Sequence, residues 1–233
     1  WTFNFLNDIV LDQKEGYAYI SDTLGYNNTG GIITYNYNTD TSRRLTDNST
    51  QIQWSDRGNI FHINGRSYNM MSPSDTIALD GDGKTLFYGA LSGFDMYEIP
   101  TSVLRSFNLT DEKVASHIRN SFRRPSQCDG MTSASSPGVF FYGTHDGPDS
   151  LVRTTLAGDG SATTVILYSN NDTMQWVDTL AWKGAEETLI FSTNRLQRFF
   201  LQNPPLSSNE SNFRVFELST PGFGSYLTNP TYQ

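Results

Sequence analysis

The stretch Asp178-Thr179-Leu180-Ala181-Trp182, a turn at Gly184 to Glu187 and then Leu189-Ile190-Phe191 decides the fold, because it recurs. The same pattern appears as Asp8-Ile9-Val10-Leu11, a turn at Gln13 to Gly16, and Tyr17-Ala18-Tyr19-Ile20. It appears again as Asp75-Thr76-Ile77-Ala78-Leu79, the turn Asp80-Gly81-Asp82-Gly83, and Leu86-Phe87-Tyr88. The remaining copy is Asp129-Gly130-Met131, a turn at Ser135 to Gly138, and Val139-Phe140-Phe141-Tyr142. Each unit continues into a further strand, at Ile32 to Tyr37, Phe94 to Ile99, Leu151 to Thr154 and Phe213 to Leu218. Successive Asp anchors stand 67, 54 and 49 residues apart. Short strands joined by Gly-rich turns and repeated at about 40–50 residues are the pattern of radially stacked four-stranded blades. A two-sheet sandwich gives no reason to place an Asp at the start of each unit. The expected fold is all-β: a single propeller domain over residues 1–233 with blade units starting near 8, 75, 129 and 178.

Composition agrees. The 233 residues include 15 Phe, 12 Tyr and 4 Trp, enough apolar bulk for a sizeable core, and 19 Gly and 9 Pro for turns. Only 17% are charged, with a formal net charge of −8. The basic pairs Arg43-Arg44 and Arg123-Arg124 do not make the broad basic patch a nucleic-acid surface needs. No apolar run reaches the roughly 18 residues of a bilayer-spanning helix. Neither nucleic acid nor a membrane is therefore the expected partner. N-glycosylation sequons begin at Asn27, Asn48, Asn108, Asn171 and Asn209, and all but Asn108 fall in expected loops or turns. Cys128 is the lone cysteine.

Two stretches break the rhythm. Residues 46–73 carry an expected hairpin, Ile60-Phe61-His62-Ile63 and Ser67-Tyr68-Asn69-Met70, around Asn64-Gly65. Residues 101–120 read as helical, with Thr110 as N-cap, Asp111 and Glu112 in the first turn, and Val114, His117 and Ile118 on one face.

Leu6-Asn7-Asp8-Ile9-Val10-Leu11-Asp12, Gly16-Tyr17-Ala18-Tyr19-Ile20-Ser21-Asp22 and Gly31-Ile32-Ile33-Thr34-Tyr35 resemble a blade of the major royal jelly and yellow proteins. Gly83 to Tyr88, Pro100 to Arg105, and above all Gln175 to Leu180 followed by Ser192 to Phe199, extend that resemblance along nearly the whole chain in order. It implies a secreted six-bladed propeller with a central channel. Four units are countable here, and members of that family carry well over a hundred residues ahead of the Leu-Asn-Asp-Ile motif. The expectation is thus an arc completed by N-terminal blades or by a second chain supplying them, sticky when isolated. Such a missing piece would also hold the partner of Cys128.

The resemblance also implies a site. In yellow-related salivary proteins of blood-feeding insects the channel holds small aromatic amines, and motif matching carries those contacts to Thr179 and Asn194. Leu196 falls where such proteins place an aromatic. Asp22, Gln127 and Asp129 join the expected mouth by position alone. Against this, an Asp opening a strand reads first as a turn or ladder-end device accepting backbone N–H groups. Asp80-Gly81-Asp82-Gly83 reads as a turn, since it lacks the later bidentate Glu of a calcium loop.

Catalytic motifs are sparse. There is no Gly-x-Ser-x-Gly elbow, no His-Glu-x-x-His and no phosphate-cradling loop. His62 and His117 are scattered, and His145 reads as a surface-loop histidine. Cys128 lacks the neighbouring base of a nucleophile. The leading expectation is an extracellular binder of a small aromatic or cationic ligand, with no cofactor and no metal. One alternative is an enzyme of the dopachrome-converting or metal-dependent lactonase type, for which Asp129, Asp178 and Asn194 would supply part of a metal set. Another is a structural or storage glycoprotein.

Overall fold

The computed structural model describes residues 5–23, 29–47, 58–183, 186–202 and 204–220. Asn27, Asn48, Gly184 and Ala185 lie outside them. The first antiparallel blade runs β1 (Leu6–Asp12), β2 (Tyr17–Asp22), β3 (Gly31–Asn36) and β4 (Thr41–Leu45), in that order from the axis outward. The expected hairpin follows as β5 (Ile60–Ile63) and β6 (Arg66–Asn69), with Asn64 and Gly65 both at positive φ. The second blade comprises β7 (Ser74–Leu79), β8 (Thr85–Ala90) and β9 (Asp95–Pro100). Helices α1 (Thr101–Leu104) and α2 (Asp111–Ala115) then lead to its outer strand β10 (Arg119–Arg123). The third blade is β11 (Met131–Ser133), β12 (Val139–Thr144), β13 (Ser150–Leu156) and β14 (Ala162–Ser169). The fourth has β15 (Trp176–Lys183), β16 (Thr188–Asn194), helix α3 (Leu196–Leu201) and β17 (Arg214–Ser219).

All four expected units are therefore blades. The stretch 101–120 departs from the single-helix expectation. It holds two short helices, and Arg119 and Asn120 already belong to a strand. Thr110 does cap α2, accepting a bond from the Lys113 N–H at 3.4 Å. His117 lies just beyond α2, its Nδ1 within 2.9 Å of the Lys113 carbonyl, while Val114 is buried. Asn108 sits exposed in the turn between the helices, so its sequon is loop-borne like those at Asn171 and Asn209.

The cores are seams between blades. Tyr19, Ile32 and Leu45 of the first blade meet Ile77, Leu79, Leu86 and Tyr88 of the second. On the far side of the second blade, Ala78, Phe87 and Met96 meet Met131, Phe140 and Tyr142 of the third. Phe141 and Leu151 of the third then meet Val177, Trp182, Leu189 and Phe191 of the fourth. Side chains alternate across a strand, so Leu86 and Tyr88 go to one seam and Phe87 to the other. Runs such as Leu86-Phe87-Tyr88 are apolar throughout because both faces of the blade are covered. Among the described residues, packing of this extent does not join the fourth blade to the first. The outer flank of the fourth leaves Phe213 and Val215 78% and 76% exposed.

Inner strands approach closely where Gly130 leads into β11. A Cβ on Gly130 would overlap the carbonyl oxygen of Asp178 in the next blade. Backbone cannot move aside as a side chain does, so Gly130→Ala must push the third and fourth blades apart. A loss of about 3 kcal/mol or more is expected, read by thermal or urea denaturation. An unchanged melting temperature would contradict this packing.

Candidate functional site

The recurrent Asp residues converge on the axis because of a shared backbone irregularity. In the first blade the β1–β2 register shifts between Leu6 and Ile9, around Asn7 and Asp8. In the second it shifts between Ser74 and Thr76, around Asp75. In the fourth it shifts between Val177 and Leu180, around Asp178 and Thr179. A β-bulge leaves extra residues outside the ladder and re-aims their side chains. Two bulges are stapled alike: Ser21 Oγ accepts from the Asp8 N–H at 3.0 Å and Ser192 Oγ from the Thr179 N–H at 3.3 Å. Asp129 reaches the same place from the loop ahead of β11.

Asp75, Asp129 and Asp178 line a cavity of about 500 Å³ at one mouth of the channel. Asn7 and Thr23 join them, and Met70, Leu91, Leu196, Phe200 and Leu201 form apolar walls. Side-chain donors fix the carboxylates. Asn7 Nδ2 donates to Asp75 Oδ1, Trp176 Nε1 to Asp129 Oδ2 at 2.5 Å, and Asn194 Nδ2 to Asp178 Oδ2 at 2.6 Å. Burial pushes Asp75 up to about 7, with the Asp8 and Asp178 charges adding to it and the contacts with Asp129 and Asn7 opposing it; burial likewise holds Asp129 well above the usual carboxylate range, with the Asp75 and Asp178 charges adding to it and the Trp176 N–H opposing it. Asp8, half-buried, is pushed up to about 7 by lost hydration and then by Asp178. Of the four anchors only Asp8 uses its carboxylate as expected of a ladder-end device, accepting from the Ile9 N–H at 2.9 Å.

The sequence-expected residues separate into two groups. Asp129 and Leu196 line the cavity. Asn194 acts one step back: besides holding Asp178, its Oδ1 accepts from the Leu196 N–H at 2.8 Å and so starts α3. Thr179 does not open its strand. It sits within the bulge, exposed, its hydroxyl 3.4 Å from Asp178 Oδ1. Asp22 is buried in an ion pair with Arg44 at 2.8 Å, closing the first blade. Gln127 is buried and donates to the Gly58 and Ile60 carbonyls, anchoring the hairpin. Neither Asp22 nor Gln127 lines the cavity.

His145 is fully buried rather than a surface-loop residue. Its ring stacks on Trp176 at 4.5 Å, the hairpin's Phe61 stacks on that indole at 5.7 Å, and burial lowers the imidazole to about 3. This column and the bond from the Asn64 N–H to Asp149 Oδ2 seat the hairpin beside the mouth. Cys128 is buried, its thiol pushed up to about 11 by lost hydration, which makes it a core residue. Among the described residues no three His, Cys, Asp or Glu side chains are arranged to hold a metal ion, and no helix is long and apolar enough to cross a membrane.

An arc of four blades with a carboxylate-floored, apolar-walled mouth at its axis defines a β-propeller of the channel-bearing class. The model of the major royal jelly protein family matches residues 3–223, and the chain belongs to that family. No curated protein matches it significantly. Among solved structures it is similar in fold to a luciferin-regenerating enzyme, with a TM-score of 0.59 and 15% identity over 94% of this chain and 62% of that one. It is also similar to a gluconolactonase from Xanthomonas campestris, with a TM-score of 0.51 and 12% identity over 81% of this chain and 54% of that one. The chain thus spans less than two thirds of either structure's length.

The raised carboxyls make stability depend on pH. In an unfolded chain they titrate near pH 4, so between about 4 and 7 the native state keeps protons that the unfolded chain has lost. Their contribution is full below about pH 4 and is lost as the pH rises through about 7. The melting temperature is expected to rise when the pH is taken from about 8 to about 5.5, and Asp75→Asn to reduce that rise. Identical pH slopes in parent and variant would refute the assignment; thermal melts across this range decide it.

Proposed function

We propose that the mouth binds a small ligand carrying an ammonium group on an apolar or aromatic body. The observation that carries this reading is the pairing of an uncompensated carboxylate floor with walls of Met70, Leu91, Leu196, Phe200 and Leu201. Among the described residues no Lys, Arg or His lines the cavity or forms an ion pair with Asp8, Asp75, Asp129 or Asp178. A ligand cation supplies the missing charge, and the walls take its apolar part. A volume of about 500 Å³ suits a small molecule. 2-Phenylethylamine is expected to bind at least tenfold more tightly than 2-phenylethanol, which differs by the charged nitrogen, and Asp178→Asn to narrow the gap. Calorimetric titration of both compounds tests this; equal affinities would sink it.

An enzymatic reading has one observation in its favour. Asp75, with a carboxyl near 7 in a cavity, has the proton affinity of a general base at neutral pH. A lactonase or dopachrome-converting activity is therefore the second reading, tested by product formation on lactone and dopachrome substrates. A purely structural or storage role has no such support.

We also infer secretion through a glycosylating compartment, supported by family membership and by the exposure of Asn108, Asn171 and Asn209. Treatment with a peptide N-glycosidase is expected to convert at least one of these to Asp, seen as a mass shift in its peptide. Three unmodified peptides from the native source would argue against secretion. Further blades, in the same polypeptide or a second chain, complete the ring in this reading and cover Phe213 and Val215. A chain that stays dispersed when concentrated alone would count against that closure.

A further inference from the structure

We propose that a cavity between the outer parts of the second and third blades binds a zwitterionic α-amino acid, its carboxylate at Arg124 and its ammonium group at Asp146. The site is separate from the mouth and does not depend on what the mouth binds.

Arg124 follows β10 and is only 1% exposed. Its side chain runs inward between the blades. Nη2 donates to the Ala90 and Gly93 carbonyls at 2.7 and 2.8 Å, and Nη1 to Thr76 Oγ1 at 3.3 Å and the Cys128 carbonyl at 3.4 Å. All four acceptors are neutral. Among the described residues the guanidinium forms no ion pair. Its charge is felt by His145, Cys128, Tyr97 and Tyr142, each of which is uncharged at neutral pH. A guanidinium does not shed its proton in a protein, and a buried charge without a counter-ion is costly.

A second observation points the same way. The Arg124 Nε has no hydrogen-bond partner among the described residues, although buried donors are almost always paired. Nε is the guanidinium nitrogen nearest the backbone, and a cavity of about 530 Å³ opens beside that backbone, lined by Arg123 and Arg124 with Phe94, Asp146 and Ala162. An acceptor with a negative charge, seated there, supplies both the missing bond and the missing counter-ion.

The rest of the lining says what carries that charge. Arg123 lies 4.9 Å over the Phe94 ring, with one nitrogen 3.2 Å from Asp95. Asp146, in the turn between β12 and β13, is half-buried and forms no ion pair among the described residues. The cavity thus holds a positive and a negative side chain that do not neutralise each other. A simple anion meets Arg124 but is repelled by Asp146, and a simple cation meets the reverse. An α-amino acid presents both charges at once, and a planar carboxylate suits a guanidinium. The volume leaves room for an apolar side chain against Phe94 and Ala162.

The test is calorimetric titration of the whole chain with L-phenylalanine and with 3-phenylpropionate, which share the carboxylate and the ring and differ in the ammonium group. L-Phenylalanine is expected to bind at least tenfold more tightly, and Asp146→Asn to bring the two affinities within about threefold of each other. Replacing Arg124 would also cut the blade's own bonds, so the site is blocked instead from the exposed strand β14. Ala162→Trp fills the cavity without touching a charge and should abolish L-phenylalanine binding at an unchanged melting temperature. No binding by the parent, equal affinities for the two compounds, or undiminished binding by Ala162→Trp overturns the proposal.

Discussion

Every inner blade of this molecule is only half a core. A strand such as β12 sends Phe140 and Tyr142 into one seam and Phe141 into the next, so its burial depends on two neighbours at once. Burying large aromatic side chains contributes about 1.5–3 kcal/mol each, and here that gain is available only when blades stack. The stacking draws β1, β7, β11 and β15 side by side around the axis, and that convergence brings carboxylates from four separate units to one place. The charge cluster follows from the seams; the attraction between apolar faces offsets the repulsion it creates.

The repeat was legible in sequence where residues report on two covered faces. Leu86-Phe87-Tyr88 and Val139-Phe140-Phe141-Tyr142 are apolar at consecutive positions, and the turns between inner strands carry Gly16, Gly83 and Gly138, all at positive φ. The fourth blade puts Glu187 in that conformation instead, and its repeat was found from the strands. The outer strands β4, β10 and β14 were not read. Strands β4 and β10 are mostly polar, with one apolar residue each, and β14 carries the unbroken run Val165-Ile166-Leu167-Tyr168 with nearly every side chain exposed, so no in-and-out alternation marks any of them. Helix α3 was missed for a related reason: Phe199, Phe200 and Leu201 look like strand material, and it is Asn194, bonding ahead of the helix, that turns the chain.

The site was legible in part. Asp129 and Leu196, expected at the mouth, line the cavity, whereas Asn194, singled out by its motif, grips a carboxylate rather than facing the cavity. Asp75 and Asp178 were visible as repeat anchors yet read first as ladder-end devices, because a lone sequence does not reveal a bulge. Thr23 gave no signal, and Asn7 and Trp176 stood inside the quoted motifs without a role attached to them. Each matters through a contact with a distant unit, such as the 47-residue separation between Trp176 and Asp129. Asp22 and Gln127 illustrate the converse: polar residues beside the right strands whose side chains are spent on Arg44 and on the hairpin backbone.

The bulges also separate two inheritances. In a regular strand, changing which side chain faces the axis means sliding the strand, and a slip of one residue turns every other side chain inside out. At Asp8, Asp75 and Asp178 the functional side chain stands outside the ladder, so its identity can drift while the pairing of Ile9 with Ile20, or Leu180 with Phe191, is untouched. A scaffold built this way can exchange its chemistry position by position, like type set in a fixed frame, without renegotiating how it folds.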